Sequence, residues 1–166
     1  MKRVIFLLLL AVAVASAQSN DSKSSADHQH DAMNSRGNVA MGFDQEKTTH
    51  HFKLAKNGGS VNVYVKNAED KESVRQIREH LQHIAGEFKK GNFALPGFIH
   101  AQTPPGVPEM QKLKADITYT YAQTANGAEV KIESKNKDAV AAIQKFLKFQ
   151  ISDHRTGDKQ EAEHNH

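Results

Sequence analysis

Apolar and polar residues alternate in four short segments of the chain, and apolar residues recur at helical spacing in two longer ones. Alternation is typical of strands with one buried face. The alternating segments are Thr49–Leu54, Ser60–Lys66, Ile117–Gln123 and Ala128–Ser134. Asn57-Gly58 joins the first pair and Asn126-Gly127 joins the second, which predicts two β-hairpins with positive φ at both turn positions.

A helix is predicted after each hairpin. The first begins near Asp70 and ends before Gly91, and the second begins near Asp138, with either Asn136 or Asp138 as its N-cap, because these residue types favour helix caps. Apolar residues three or four positions apart form one stripe on each helix. The stripes are Val74, Ile77, Leu81, Ile84 and Phe88 on the first helix, and Val140, Ile143, Leu147 and Ile151 on the second.

The two halves of this pattern match each other. Aligning Asn57 with Asn126 also aligns Lys66-Asn67 with Lys135-Asn136. The pattern therefore predicts an α+β domain built as a duplicated ββα-ββα unit, with a four-stranded antiparallel sheet and two helices on one face. Similar hairpins that arose without duplication would give the same architecture.

A connector over residues 92–108 separates the two halves and contains all four prolines. Its composition predicts a rigid irregular segment, because proline fixes φ and lacks a backbone donor. Residues 108–113 are predicted to form a short helix.

The N-terminal segment has the pattern of a signal peptide. Lys2 and Arg3 precede an apolar run over Val4–Val14, and Ala15-Ser16-Ala17 is a small-residue cleavage site. The run is too short to span a membrane, although an uncleaved anchor is the alternative. We expect residues 1–17 to be a signal peptide and the protein to be periplasmic or secreted, with no integral membrane span after cleavage.

The remaining chain divides into one domain between two polar segments. Residues 18–40 and 155–166 contain few apolar side chains, so they are predicted to be a disordered linker and a disordered tail. Residues 41–154 are predicted to form a single α+β domain. The chain has no cysteine, so this domain must fold without disulfides.

The charge balance argues against a nucleic-acid partner. Removing Lys2 and Arg3 lowers the number of basic residues from 22 to 20, against 19 acidic residues. The sequence also lacks the basic runs that contact phosphates. It indicates no particular protein partner.

Clustered histidines are the main chemical signal. His50-His51 begins a predicted strand, and His80 and His83 lie three positions apart on the first helix. Imidazole serves both metal ligation and proton transfer near neutral pH. We therefore predict a metal site with copper or zinc as the ion. Its candidate ligands are His80, His83, His50, His51, His100 and His154. The thioether groups of Met41 and Met110 slightly favour copper over zinc.

The periodicity also predicts where these side chains point. His50 has the parity of Phe52 and should face the helices, whereas His51 should face away. His80 lies at the edge of the apolar stripe, and His83 lies further toward solvent.

Two other functions fit the same residues. The first is a non-catalytic periplasmic module that binds a ligand or protein, with structural histidines. The second is a hydrolase that uses Asp153 and His154. Because no nucleophile motif, phosphate loop or cofactor fingerprint is present, the sequence favours a non-catalytic role.

Several segments resemble a small family of exported bacterial proteins with no established activity. The similarity is carried by Met41-Gly42-Phe43-Asp44-Gln45-Glu46-Lys47-Thr48-Thr49-His50-His51-Phe52, by residues 77–84, by Pro104-Pro105-Gly106-Val107-Pro108 with Met110, and by residues 146–154. Some members carry the label aspartate carbamoyltransferase. This sequence does not support that label, because it is about half the length of that enzyme and lacks its Ser-Thr-Arg-Thr phosphate-binding stretch.

Overall fold

The computed structural model describes residues 21–162, which form one antiparallel sheet and five helices. The strands are β1 (Thr48–Ala55), β2 (Gly58–Val65), β3 (Ile117–Thr124) and β4 (Gly127–Ser134). The helices are α1 (Asp21–Met41), α2 (Lys71–Lys90), α3 (Ala94–His100), α4 (Val107–Lys112) and α5 (Lys137–Asp153). The sheet has the order β1-β2-β4-β3, which confirms the α+β class and the four-stranded antiparallel sheet. The predicted signal peptide lies outside the described residues.

The hairpins form where the sequence predicts them, but their turns lie one residue earlier. Ala55 pairs with Gly58, and Thr124 pairs with Gly127, so each glycine is the first residue of a strand. Neither Asn57 nor Asn126 has positive φ. The prediction of positive φ at both turn positions is therefore wrong.

The two hairpin glycines instead permit close contact between the central strands β2 and β4. A Cβ atom on Gly58 would lie 2.0 Å from the carbonyl oxygen of Ile132, and one on Gly127 would lie 1.9 Å from that of Val63. A side chain at either position would separate the two hairpins.

The two long helices begin and end at capping residues. The Asp70 side chain accepts a hydrogen bond from the Ser73 backbone N–H at the start of α2, and Gly91 ends that helix in the left-handed conformation. At the start of α5, the Asn136 side chain accepts hydrogen bonds from two backbone N–H groups.

Each long helix packs mainly on the hairpin of the other half of the chain. α2 contacts mainly β3 and β4, whereas α5 contacts mainly β1 and β2. All five stripe residues of α2 are buried, and on α5 all but Val140 are buried. Phe88 of α2 meets Phe146 of α5 with ring centroids 6.0 Å apart. The buried side chains of both helices therefore belong to the same hydrophobic core as those of the sheet.

The proline-containing connector packs against α5. Gly106 has φ +89°, and a Cβ atom there would lie 2.2 Å from the carbonyl oxygen of Ala142. Val107 and Met110 on α4 are buried. Short helices α3 and α4 thus replace most of the irregular segment that the prolines predict.

Residues 21–41 form helix α1, although their composition predicts part of a disordered linker. The Arg36 side chain donates a hydrogen bond to the carbonyl oxygen of Ile99 at 2.8 Å. Met33 and Met41 are buried. A polar helix held by a few tertiary contacts gives no amphipathic pattern in the sequence. Among the described helices, none is both long and apolar enough to cross a membrane.

The predicted C-terminal tail also makes contacts within its described residues. The Asp158 side chain accepts a hydrogen bond from the backbone N–H of Phe52 at 2.9 Å, at the outer edge of β1. A second hydrogen bond joins Gln160 to Ser152. These contacts hold residues 155–162 against the domain.

Candidate functional site

Four histidines from separate elements line one cavity in the core. They are His50 on β1, His80 on α2, His100 at the end of α3, and His154 directly after α5. The cavity has a volume of about 60 Å³. Its remaining wall is mostly aliphatic and aromatic, with Met41 and Gln150 as additional lining residues.

The local pattern explains how His50 and His80 reach this cavity. His50 is two residues from buried Phe52, so both side chains point to the same side of β1. His80 lies beside buried Leu81 and three residues after Ile77. The Phe43 ring packs against both imidazoles, with centroids 5.8 Å from His50 and 5.5 Å from His80.

His154 is the centre of the histidine cluster. Its ring centroid lies 5.5 Å from that of His50 and 5.1 Å from that of His100. Two imidazoles on one tetrahedral ion have centroids roughly 5 Å apart, since each metal–nitrogen bond is about 2.0–2.1 Å long. The spacing of these rings therefore suits a shared ion.

The orientation of the rings does not yet form a metal site. The His50 and His154 rings are stacked, with 13° between their planes, so their nitrogens do not converge. Within residues 21–162, no group of three or more His, Asp or Glu side chains is arranged to hold a metal ion. Ligation would need ring rotation about the terminal torsion of the histidine side chain, which is soft.

Three of these imidazoles are held in the neutral form. Burial lowers the pKa of His50 to about 4, with a smaller contribution from His51. Burial, followed by His50 and His83, lowers the pKa of His80 to about 4. His50, His80 and His154 are each half-buried, and His50 and His154 also line a polar groove beside helix α1. Neutral imidazole is the form that binds metals.

His154 is neutral for the same main reason. Burial lowers its pKa well below 6.5, and His50, His100 and His30 add to the effect. In the part of the chain that the structure describes, the ring nitrogens of His50, His80 and His154 form no hydrogen bond with another residue. Lone pairs on these nitrogens are therefore available to a ligand in the cavity.

His100 is fixed between two side chains of α5. Its Nδ1 lies 2.5 Å from Oδ2 of Asp153, and its Nε2 lies 3.0 Å from Oε1 of Gln150. The Gln150 Nε2 group is buried without a partner among the described residues. Turning this amide by half a turn lets its Nε2 donate to Nε2 of His100, while His100 Nδ1 donates to Asp153.

The carboxylate of Asp153 therefore contacts the ring of His100, although Asp153 is adjacent to His154 in the sequence. A carboxylate on one ring nitrogen fixes the tautomer and directs the other nitrogen toward a ligand. For His100, that other nitrogen is Nε2, which faces Gln150 in the cavity.

Two of the six candidate ligands lie outside the cavity. His51 points to the other side of β1, where its Nδ1 lies 2.8 Å from Oδ1 of Asp158. His83 is exposed and lines a surface groove with Glu87 and Phe98. The His80-x-x-His83 pair is therefore not brought together at one site.

Asp158 anchors His51 outside the cavity. Burial opposes ionisation of this carboxyl group, but hydrogen bonds from Thr156, His51 and the Phe52 backbone outweigh burial and lower its pKa. The resulting carboxylate holds the His51 ring at the sheet edge.

Sequence reasoning missed two residues near the site. His30 on α1 is close enough to His154 to lower its pKa, and Gln150 contacts His100 directly. No periodic signal marks α1, so nothing in the sequence placed His30 beside the core. Gln150 lies three residues after Leu147 on α5, and that spacing could have indicated a buried polar group.

Comparison with known proteins identifies no relative. The chain matches no protein-family model, no curated protein and no solved structure.

Proposed function

We propose that this protein binds a transition metal ion, copper or zinc, through imidazoles in its core. The proposed ligands are His50, His100 and His154, with His80 as a fourth donor. One observation supports this most strongly: the neutral imidazoles of His50, His80 and His154, which have no hydrogen-bonding partner among the described residues, line a single cavity from separate elements. His100 lines the same cavity, and its Nε2 would exchange Gln150 for the ion.

The energetic cost of these histidines favours a ligand over a purely structural role. A buried polar group without a partner costs about 1–3 kcal/mol. His50, His80 and His154 are half-buried, so each bears only a fraction of this cost in the free protein. The Gln150 Nε2 group, which is fully buried without a partner among the described residues, bears more of it. Metal–nitrogen bonds would offset that cost when the ion binds.

The size and lining of the cavity favour an ion over an organic molecule. Its volume of about 60 Å³ admits an ion with a few water molecules. Pockets for organic ligands usually measure about 300–1,000 Å³. No serine, threonine or cysteine of the described chain lines the cavity, so the arrangement favours binding over nucleophilic catalysis.

Two further inferences accompany this proposal. The N-terminal sequence pattern supports export to the periplasm or outside the cell, where the protein would meet its metal. The repeated order of hairpin and long helix supports an ancient duplication with both long helices on one face, in which the first unit acquired His50 and His80.

Metal titration of the purified protein tests the proposal. We expect one copper or zinc ion per chain, with binding lost in His50→Leu and His154→Leu. The matched control is His83→Leu, which changes an exposed histidine on the same protein. Far-ultraviolet circular dichroism checks that each variant is folded. Full-strength binding in both core variants, or no binding by the wild-type protein, would overturn the proposal.

A further inference from the structure

The cavity combines neutral imidazoles with one thioether and has no charged wall. Met41, at the end of α1, lines it together with the four histidines and is only 7% exposed. Among the described residues, no aspartate, glutamate, lysine or arginine lines this cavity. Every donor that lines the cavity is therefore uncharged in the form that binds a metal.

An uncharged donor set in an apolar cavity favours an ion of low charge. The Born cost of burying an ion grows with the square of its charge, so a dication costs about four times as much as a monocation of similar size. Carboxylate or thiolate ligands usually compensate the charge of a dication. Neither lines this cavity, and the carboxylate of Asp153 contacts Nδ1 of His100 from outside the lining. The electrostatics thus disfavour zinc and divalent copper here.

The chemical softness of the donors points in the same direction. Thioether sulfur selects monovalent copper among the first-row ions, and imidazole also binds it. Monovalent copper accepts as few as two or three ligands, so it does not need the full set of converging histidines that the free protein lacks. Met41 with two rings of the cluster would suffice.

We propose that the ion is monovalent copper and that the sulfur of Met41 is one of its ligands. This rests on the proposed metal-binding function and narrows it to one ion and one additional donor. Helix α1 then completes the site, because Met41 at its end is part of the cavity lining.

A competition titration tests the assignment. Monovalent copper is titrated anaerobically into wild-type protein, Met41→Leu and Met110→Leu, with bicinchoninate as the competing chromophoric chelator. Met110 is the matched control, since it is fully buried but does not line the cavity. Leucine conserves most of the methionine volume, so both variants should fold.

We expect Met41→Leu to weaken binding of monovalent copper by about tenfold or more, and Met110→Leu to change it by less than about twofold. X-ray absorption should show copper–sulfur scattering in the wild type and in Met110→Leu, but not in Met41→Leu. Unchanged copper affinity in Met41→Leu, or tighter binding of zinc than of monovalent copper by the wild type, would overturn the inference. If His50→Leu and His154→Leu still abolish binding, the metal site itself stands; if the wild type binds no metal, both proposals fail.

Discussion

The Asp153 carboxylate lies 2.5 Å from Nδ1 of His100, although 53 residues separate the two in sequence. His100 ends α3, and Asp153 ends α5, so this contact joins the connector to the second long helix. The other nitrogen of this ring, Nε2, lies 3.0 Å from Oε1 of Gln150, which also lines the cavity. The pair therefore links the packing of the domain to the proposed metal site.

Replacing Asp153 with asparagine should weaken metal binding. The variant keeps the shape of the side chain but removes the charge that fixes the His100 tautomer, and loss of such a partner typically costs about 10–100-fold in metal affinity. Titration of Asp153→Asn checks this. Lys148→Gln, at an exposed position of α5, is the control and should bind as the wild type does. Equal affinities in Asp153→Asn and wild type would show that the ion does not use His100.

The metal-free protein should lose stability as the pH falls from about 6.5 to 4. His50, His80 and His154 have pKa values below that of an unfolded histidine, so in this range the unfolded chain takes up protons that the folded chain rejects. Each group lowers the unfolding free energy by about 1.4 kcal/mol per pH unit. Above pH 7 both states are neutral and the effect is absent.

Urea denaturation at several pH values measures this dependence. The free energy of unfolding of the wild type should fall steeply between pH 6.5 and 5. The slope of this free energy against pH gives the number of protons taken up on unfolding, and that number should be smaller by about one in His80→Leu. A wild-type stability that stays constant over this range would mean that these histidines are hydrated and titrate normally.

Replacing Gly106 with alanine should strongly destabilise the fold. Its φ of +89° is unfavourable for alanine, and the added Cβ would clash with the Ala142 carbonyl on α5. We expect a loss of at least about 3 kcal/mol in the free energy of unfolding. Gly42 is the matched control, since it also has positive φ but open space around its Cβ position. Gly42→Ala should cost only about 1–2 kcal/mol; similar losses in both variants would contradict close packing of the connector on α5.

Removing the Asp158 side chain should expose the edge of β1. In Asp158→Ala, the Phe52 backbone N–H loses its acceptor and His51 loses its partner. Amide hydrogen exchange at Phe52 should accelerate by about tenfold or more, because the local opening requires less free energy. Glu161→Gln, an exposed change in the same segment, should leave the exchange rate as it is. Slow exchange at Phe52 in Asp158→Ala would mean that the segment after α5 does not cover this edge.

The sequence predicts the strands and long helices because each has a strong periodic signal. Val63 and Ile132 alternate with polar neighbours, and Asp70 and Gly91 cap α2 as expected. The turn of the first hairpin lies one residue earlier than predicted, because Gly58 belongs to β2, where it lies close to the backbone of Ile132 in β4. Local patterns of this kind do not depend on distant parts of the chain.

The grouping of the histidines could be predicted only in part. Strand parity and helical spacing separate His50 from His51 and place His80 nearer the core than His83. The approach of His100 to His154 depends on the path of the connector, which no local pattern encodes. The same limit applies to α1, whose few buried side chains are dispersed among polar residues.

Anomalous diffraction from crystals grown with monovalent copper is the most direct test of the central claim, because it locates the ion itself. Data collected on both sides of the copper absorption edge should give one strong peak in the core cavity, within bonding distance of His154 and at least one other ring of the cluster. Peaks confined to His83, His51 or the chain termini, or no peak at all, would contradict the account and leave the buried histidines with a structural role.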